Sequence, residues 1–343
     1  MAIQIAELTD ETRDKWDRFV AESDATTFFH RSGWREVIEK SFRHDARFLM
    51  AERDGVVEGI LPLVHVKSSL FGNRLVSTAF CVGGGIAAET DAAHDALKAE
   101  ADFLMETLKA EYVEYRAPQR SAEDWQKREG LYATFHREIE AEEEECLKQI
   151  PRKQRAVVRK ALKSEMEIEI VIDPDEFYHV YSTTMRNHGT PVFSKGFIRN
   201  LLQEFKGDCD ILSARKDGKV LSSVLNFYFK DRVMPYYTGA LPEARKTGAA
   251  DLMYWALMRS AVERGYKIFD FGRSKLGTGP FSFKKNWGFE PVPINLEFSL
   301  RNGTPIPDVN PNNPKYDLMI RTWQKLPLPV ANVIGPMVSR HLG

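Results

Sequence analysis

The pattern of apolar and polar positions occurs twice along this chain. Residues 33–63 align without a gap with residues 196–226. In each copy, a stretch with helical spacing leads to an apolar run typical of a strand, an Asp-Gly pair and a second such run. Asp-Gly between two β-rich runs predicts a hairpin, because both residues tolerate the positive φ of its turn. The identical positions are Gly33/Gly196, Phe42/Phe205, Asp45/Asp208, Leu49/Leu212, Ala51/Ala214, Asp54/Asp217, Gly55/Gly218 and Val57/Val220.

The similarity continues beyond the hairpins at a different offset. Residues 112–115 (YVEY) correspond to residues 268–271 (IFDF), and each segment is typical of a short strand that follows a helix. Each preceding helix has one apolar face. These faces consist of Leu97, Ala101, Leu104 and Leu108 in the first copy and of Met253, Ala256, Leu257 and Ala261 in the second. The same order of elements in both halves predicts a duplicated α/β domain.

Length and composition fit two globular domains. The chain has 343 residues, of which 43% are hydrophobic and 28% charged, so each half can bury a core of its own. The formal net charge of −1 gives no overall field that would recruit nucleic acid or an anionic membrane, so any polyanion site must be local. Three widely spaced cysteines (Cys81, Cys146 and Cys209) predict buried thiols rather than a disulfide framework or a zinc site.

The sequence also bears on location and domain limits. The N-terminal segment MAIQIAELTDETRDKW carries acids where a secretory signal would be basic and then apolar, and no run of about 18 apolar residues occurs, so we expect a cytoplasmic protein. The acidic run Glu138–Glu145 separates the halves. It predicts an N-terminal domain over residues 1–145, a C-terminal domain over 146–300 and a tail over 301–343. The apolar end of this tail either packs on a domain or contacts a membrane surface or partner.

A basic segment follows the acidic run. If residues 151–163 (PRKQRAVVRKALK) form a helix, one face carries Arg152, Arg155, Arg159 and Lys163, and the other carries Val157, Val158, Ala161 and Leu162. The apolar face would dock on the protein, and the arginines would bind phosphate through bidentate hydrogen bonds. The alternative is a solvated face that the neighbouring acids neutralise.

A second candidate lies where a glycine opens a helix. Arg245, Gly248 and Ala250 match the loose R/Q-x-x-G-x-G/A pattern with which acetyltransferases bind the pyrophosphate of coenzyme A. The physical basis is that amide groups at a helix N-terminus face an anion. A plain junction between a loop and a helix explains these residues at least as well, so acyl-CoA is one candidate co-substrate among others.

The segment 269–291 (FDFGRSKLGTGPFSFKKNWGFEP) is the densest set of chemically useful residues. A short strand ends at Asp270, and a glycine-rich loop then carries Arg273. Aromatic residues interleaved with Lys284 and Lys285 can form a partly dry pocket whose cations stabilise negative charge on an acyl intermediate. The aromatic residues alone could be core, but lysines, glycines and an arginine in one loop predict a functional site.

Other motifs narrow the chemistry. Asn187 and His188 lie in the segment 183–193 (TTMRNHGTPVF), where a loop could expose the histidine as a general base, although a lone histidine is more often structural. The chain has no GxSxG, HExxH, P-loop or GxGxxG motif, and nothing in the sequence suggests a metal. We therefore expect no metal and no tightly bound cofactor.

These motifs resemble those of the FemAB family of aminoacyltransferases, and more narrowly the FemAB-like proteins associated with exosortase/PEP-CTERM and exopolysaccharide gene clusters. The resemblance covers nearly the whole chain, from residues 27–38 (TFFHRSGWREVI) to the C-terminal region. PRKQRAVVRKA, MRNHGTP and FDFGRSKLGTGPFSFKKNWGFEP carry most of it, and the last is the longest and most specific. The resemblance implies an α/β (α+β) fold of two tandem GNAT-like domains, each with a mixed central sheet flanked by helices. The internal repeat suggests the same duplication independently.

The resemblance also implies an acyltransferase that forms an amide bond. Known members transfer an amino acid from aminoacyl-tRNA to an amine of a peptidoglycan precursor, with a substrate groove between the domains. The subgroup implies a lipid-linked or sugar-containing acceptor. The sequence lacks the heptads of a coiled-coil arm for tRNA, so an acyl-CoA donor stays open. A non-catalytic carbohydrate- or partner-binding protein on this scaffold is a third hypothesis.

We expect an amine to attack an activated acyl carbonyl. In the family, a lysine in the loop matching FKKNWG assists the transition state, which implies this role for Lys284 or Lys285. Arg273 would help to stabilise the oxyanion. Asp270 and Tyr236 or Tyr237 would position the substrate and relay a proton. The other residues predicted to bind substrate or phosphate are Arg152, Arg155, Arg159, Asn187, His188, Asn226, Arg245, Gly248, Ser274 and Trp287.

Overall fold

The computed structural model describes residues 2–69, 71–118, 120–171, 173–307 and 314–343. For residues 314–317 it describes the main chain only. The chain forms two compact units. The first comprises Met1–Leu131, Ile294–Asn310 and Ser339–Gly343, and the second comprises Tyr132–Pro293 and Pro311–Val338.

The first unit is a mixed sheet flanked by helices. Its elements are β1 (Gln4–Glu7), α1 (Arg13–Glu22), a 3-10 turn (Phe28–His30), α2 (Gly33–Phe42), β2 (Asp45–Arg53), β3 (Val56–Ser68), β4 (Gly72–Ser77), β5 (Ala87–Ala88), α3 (Asp91–Thr107), β6 (Tyr112–Arg116) and the start of β7 (Gln126–Thr134). The strand order is β1-β2-β3-β4-β6, with β5 beside β3, and β4 and β6 are parallel. Leu61, Leu97 and Tyr115 are fully buried in the core between this sheet and α3.

The second unit has a second mixed sheet. The elements after β7 are β8 (His136–Glu138), α4 (Glu143–Gln149), α5 (Arg152–Leu162), β9 (Glu167–Val171), α6 (Pro174–His188), α7 (Lys195–Glu204), β10 (Cys209–Lys216), β11 (Lys219–Phe229), β12 (Arg232–Ala240), α8 (Ala244–Thr247), α9 (Ala249–Glu263), β13 (Ile268–Asp270), β14 (Ser274–Lys275), α10 (Gly279–Asn286), β15 (Val292–Leu300), α11 (Pro314–Gln324) and α12 (Leu328–Ser339). The strand order of this sheet is β8-β13-β12-β11-β10-β9; the β12–β13 pair is parallel and the other four pairs are antiparallel. β15 belongs to the first unit from Ile294 onward and is antiparallel to β6.

Both hairpins predicted from the repeat are present, and they share an irregularity. β2 and β3 are joined through residues 54–55, β10 and β11 through residues 217–218, and all four of these Asp and Gly residues have positive φ. In each hairpin the pairing shifts by one residue directly after an alanine, Ala51 in the first and Ala214 in the second. Such a bulge bends the strand and increases its twist. The same bulge at equivalent positions is what a duplicated domain predicts.

The parallel strand pairs correspond as well. β6 pairs with β4 through Leu75 and Val113, and β13 pairs with β12 through Arg232 and Ile268. The later strand of each pair, β6 or β13, follows a helix, α3 or α9, as the sequence pattern predicts.

The N-terminal stretch of the first unit ends at Leu131, before residue 145. Tyr132 pairs with Lys275, and β8 pairs with β13, so these residues belong to the second unit. The three cysteines are buried and form no disulfide, as predicted.

Candidate active site

The glycine-rich loop predicted from segment 269–291 lies where two strands of the second unit separate. β12 and β13 pair only through Arg232 with Ile268 and Val233 with Phe269. Beyond this point the chain pairs with the end of β7 and the residue that follows it. The amide of Phe271 donates to the carbonyl of Phe135, and Ser274 pairs with Ala133. The loop 270–274 therefore begins at the point where β13 leaves β12.

The ammonium group of Lys284 forms hydrogen bonds with the main chain of this loop. Its Nζ donates to the carbonyl oxygens of Phe271 (2.6 Å), Gly272 (2.9 Å) and Arg273 (3.1 Å). Lys284 lies in the last turn of α10 and is only 9% exposed. Three consecutive carbonyls thus accept the three N–H bonds of one ammonium group.

Three effects set the pKa of Lys284, and they do not all act in the same direction. Burial lowers the pKa of its amine to about 7, the Asp270 carboxylate raises that pKa and the Arg273 guanidinium lowers it further. Near neutral pH, Lys284 is therefore close to its titration point. Loss of the proton leaves two N–H donors for three carbonyl acceptors.

Asp270 and Arg273 lie close enough to Lys284 for their charges to act on it. The carboxylate of Asp270 accepts a hydrogen bond from the amide of Gly272 (2.8 Å) and forms an ion pair with Arg232 (3.4 Å). The guanidinium of Arg273 lies over the ring of Tyr132, 4.4 Å from its centroid. The structure thus brings Asp270, Arg273 and Lys284 together.

The two adjacent lysines have different environments. Lys285 is exposed, and its Nζ lies 6.0 Å from the centroid of the Phe281 ring. Ser274 is buried in β14, and its hydroxyl has no hydrogen-bond partner among the described residues. Of the two lysines, Lys284 organises the loop, whereas Lys285 faces solvent.

Trp287 and Asn226, which were predicted to contact substrate, lie inside the second unit. Trp287 is completely buried, and its Nε1 donates to the carboxylate of Asp251 (3.1 Å). Asn226 is also completely buried, and its Nδ2 donates to Asp210 (2.9 Å). In this structure neither side chain is exposed to a ligand.

The tyrosines of β12 lie at a further bulge. Leu225 pairs with Tyr237 and Asn226 with Pro235, which leaves Tyr236 as an extra residue in β12. Tyr237 is buried and packs edge-on against four aromatic rings, one of which is that of Tyr236. Tyr236 is half-buried, so it is the more accessible of the two hydroxyl groups.

The predicted basic helix exists, as α5, but its apolar face is narrower than predicted. Val158 and Ala161 are buried, whereas Val157 and Leu162 are 37% and 43% exposed. The reason is that α5 docks on the first turn of α9 through a small contact. A Cβ on Gly248 would lie 3.2 Å from the Cβ of Ala161.

The arginines of α5 differ in their engagement. Arg155 donates to the carbonyls of Ile150 and Lys148, and Arg159 pairs with the exposed Glu144 (3.1 Å). Arg152 and Lys160 are exposed and border a shallow depression on the same helix. The acidic run thus neutralises part of the basic face. The rest of that face stays available.

Gly248 caps α8 and opens α9 with a φ of 75°, but its surroundings differ from an open phosphate cradle. Gly248 is buried beneath Ala161 and Val157 of α5. In addition, Asp251 occupies the first turn of α9, where it places a carboxyl group at the positive end of the helix. Arg245 is exposed on the short helix α8.

His188 ends a helix and does not lie in a loop. α6 continues through Asn187 and His188 and ends at Gly189, whose φ is 77°. The prediction of a loop is wrong because the glycine acts as a left-handed cap after these residues. Partial burial, followed by the charge of nearby Arg245, lowers the pKa of His188. The two residues are therefore close to each other.

Several supporting residues were not predicted from the sequence. The carboxylate of Asp251 accepts hydrogen bonds from Trp287 and from Gln154 of α5, and burial raises its pKa. Tyr254 donates to Thr238 of β12 (3.0 Å). The Tyr254 ring packs 5.0 Å from that of Phe271. Polar residues inside the otherwise apolar helix α9 were the available signal.

The equivalent position of the first unit is closed. Glu114 corresponds to Asp270 in the repeat, and it is buried in a 2.7 Å ion pair with Arg116. Arg116 also donates to the carbonyl of Cys81 (2.8 Å). The two charges satisfy each other, so the loop site of the second unit has no counterpart at this position of the first unit.

Comparisons with known proteins agree with this architecture. Residues 148–285 match the model of the acetyltransferase (GNAT) domain family. No curated protein matches the sequence. Among solved structures, the chain is similar to FemX, with 17% identity and a TM-score of 0.70 over 92% of this chain and 100% of that chain.

Two other solved structures have a similar fold. One is the C-terminal domain of a putative lysylphosphatidylglycerol synthetase from Agrobacterium fabrum, with 13% identity, a TM-score of 0.56 and coverage of 85% of this chain and 92% of that chain. The other is a tandem GNAT protein from the clavulanic acid biosynthesis pathway, with 13% identity, a TM-score of 0.53 and coverage of 86% and 97%. The predicted tandem GNAT-like fold is confirmed, and the domain match supports an acyltransferase of the GNAT type.

Replacement of Lys284 tests its role in holding the loop. Lys284→Met keeps an unbranched apolar side chain but removes the ammonium group, so three carbonyls lose their donor. We expect it to lower the free energy of unfolding by at least about 2 kcal/mol, because each buried polar group left unpaired costs about 1–3 kcal/mol. Lys285→Met at the exposed neighbour should change it by less than about 0.5 kcal/mol. Urea denaturation of both variants measures the difference, and equal midpoints would refute this role.

The lowered pKa of Lys284 also predicts a pH dependence of stability. Between pH 7 and the ordinary lysine value of 10.5, the unfolded chain binds more protons at this residue than the folded chain. The contribution of Lys284 to the free energy of unfolding should therefore rise with pH across this range, by up to about 1.4 kcal/mol per pH unit, and stay constant below it. The difference in unfolding free energy between wild type and Lys284→Met isolates this term. Parallel pH curves would contradict the assignment.

Proposed function

We propose that the second unit transfers an aminoacyl group from aminoacyl-tRNA to an amine and forms an amide bond. The observation that carries the choice of donor is the place of α5. This helix covers Gly248, where coenzyme A pyrophosphate would meet the amides of α9, and it carries cations on its outer face. An RNA backbone can use such a row of cations, whereas a buried pyrophosphate site cannot form beneath it.

The charge of α5 is suited to a polyanion. Residues 146–164 contain Lys148, Arg152, Lys153, Arg155, Arg159, Lys160 and Lys163 and no acidic residue. The net charge of the whole chain is −1, so this segment is a local exception. The name of one structural relative, a putative lysylphosphatidylglycerol synthetase, is consistent with aminoacyl chemistry on this fold.

The reaction is a substitution at an ester carbonyl. The acceptor nitrogen forms a C–N bond with the aminoacyl carbon, and the carbonyl oxygen becomes an oxyanion. The C–O bond to the tRNA ribose then breaks, and the proton lost by the amine ends on the ribose hydroxyl. Because the amide is more stable than the ester, no further energy source is needed.

Each loop residue has a role in this scheme. Arg273 stabilises the oxyanion, Lys284 holds the carbonyls that position Arg273, and Asp270 fixes the turn through Gly272. Tyr236 is the more accessible tyrosine for proton relay. Lys285 is left as a surface cation that contacts the donor or acceptor. We propose a lipid-linked or sugar-containing amine as acceptor, and the link to exosortase and exopolysaccharide gene clusters stays a prediction.

An acyl-CoA donor is the second candidate, and one observation favours it. The family match over residues 148–285 is to acetyltransferases. In addition, Arg245 of α8 is an exposed cation close to His188. α5 would then have to move away from Gly248 when coenzyme A binds.

The donor can be identified by binding. We expect aminoacyl-tRNA to bind in filter assays and coenzyme A to give no heat in calorimetry at millimolar concentration. Lys160→Gln/Lys163→Gln at α5 should weaken tRNA binding roughly tenfold and make it less dependent on salt, because a complex with fewer phosphate contacts releases fewer counterions. Lys40→Gln/Lys67→Gln, on the first unit, is the matched control with the same loss of charge. Coenzyme A binding with no tRNA binding would favour the second candidate.

The role of Arg273 can be tested by turnover. Arg273→Met should lower kcat by about 10²–10³-fold, which is the usual effect of removing one oxyanion donor, and should leave the urea midpoint near that of wild type. Lys285→Met serves as the neighbouring control. Mass spectrometry of an amine acceptor incubated with charged tRNA measures the product. Turnover of Arg273→Met equal to that of wild type would rule out this assignment.

A further inference from the structure

The outer face of α12 is apolar although it faces solvent. Val330, Val333, Ile334 and Met337 follow the i, i+3, i+4, i+7 spacing of one helix face. Their exposed fractions are 40%, 67%, 39% and 65%. In most surface helices, large apolar residues face the protein. Here they face outward.

The opposite face of α12 explains this orientation. Ala331 and Gly335, one turn apart, are buried against the second unit. A Cβ on Gly335 would lie 2.9–3.1 Å from atoms of Val192, so only a glycine permits this close approach. The small residues thus dock the helix. The docking fixes the large residues toward the outside.

The preceding helix carries further exposed apolar residues. Leu318 and Met319 of α11 are 75% and 60% exposed, while Ile320 packs on Gly189 at the end of α6. Six exposed large apolar side chains therefore come from two consecutive helices. Exposed apolar residues in such a concentration mark an interaction surface.

The charges of this surface favour one kind of partner. From Leu318 to Val338 the sequence contains no acidic residue, whereas Arg321 and Lys325 are exposed there. In the whole chain, 49 acidic residues balance 48 basic ones, so a stretch with basic residues only is a local departure. Apolar side chains accompanied by cations alone complement an anionic lipid surface.

The geometry fits a helix that lies on a membrane. α12 has 12 residues and is about 18 Å long, which is shorter than the roughly 30 Å hydrocarbon core. No helix in the part of the chain that the structure describes is both long and apolar enough to cross a bilayer. A helix of this length can instead bury one face at the interface between headgroups and acyl chains.

We infer that α11 and α12 dock the second unit on the surface of an anionic bilayer. The apolar face of α12 enters the interface, and Arg321 and Lys325 contact lipid phosphates. The inference does not rest on the proposed acyl transfer, and its test measures no turnover.

Flotation with phospholipid vesicles tests this docking surface. The full chain should float with vesicles of phosphatidylcholine mixed with phosphatidylglycerol and much less with phosphatidylcholine alone. Val333→Ser/Met337→Ser should weaken binding by about tenfold or more, because two large apolar side chains lose their burial. Arg321→Gln/Lys325→Gln should weaken binding to the anionic vesicles only, and added salt should have the same effect.

The matched control removes exposed apolar side chains elsewhere. Val56 and Phe103 of the first unit are 65% and 62% exposed, so Val56→Ser/Phe103→Ser should bind vesicles as wild type does. Urea midpoints of all variants report whether they fold. Absence of vesicle binding, or equal binding by the α12 variant, would overturn the inference. A dimer that Val333→Ser/Met337→Ser converts to a monomer, without vesicle binding, would assign the face to a second copy of the chain instead.

Discussion

The site of this protein depends on one ammonium group that neutralises the dipoles of three consecutive carbonyls. Main-chain carbonyls that converge on one point repel one another, and Lys284 Nζ is what allows those of Phe271, Gly272 and Arg273 to do so. Because these three carbonyls point toward Lys284, the main chain at Arg273 is fixed. The side chain of Arg273 therefore starts from a fixed position. A buried lysine with a pKa near 7 is costly to keep charged, so its retention in the core has a structural reason.

Duplication gave two copies of one scaffold, and the copies differ at the position that follows the parallel strand. The hairpins retain even the same bulge after Ala51 and Ala214. At the end of the strand, however, the first copy buries Glu114 with Arg116, whereas the second has Asp270 in a loop held by a lysine. The charges of an internal ion pair neutralise each other inside the protein. A loop whose main chain is fixed by a lysine can present charged side chains to a ligand.

Local signals in the sequence predicted the repeated elements of the fold, and they were less informative for the site. The Asp-Gly pairs and the helical spacing predicted the repeat, because turn chemistry and periodicity act over a few residues. The partners of Lys284 are main-chain carbonyls, which no side-chain pattern reveals. Trp287 resembled a ligand contact in the sequence, but its bond to Asp251 places it in the core. The narrow contact of α5 was also missed, because it depends on the absence of a Cβ at Gly248.

The carboxyl group of Asp251 at the start of α9 has a consequence for how this domain can hold an anion. A helix terminus binds phosphate through fixed dipoles that need no counterions, and such binding resists changes in ionic strength. Here that terminus is already occupied by an acid of the chain itself and covered by α5. A polyanion bound near this terminus would then be held by side-chain cations, whose affinity comes largely from released counterions. The affinity of this domain for such a molecule would therefore fall as the ionic strength of its surroundings rises.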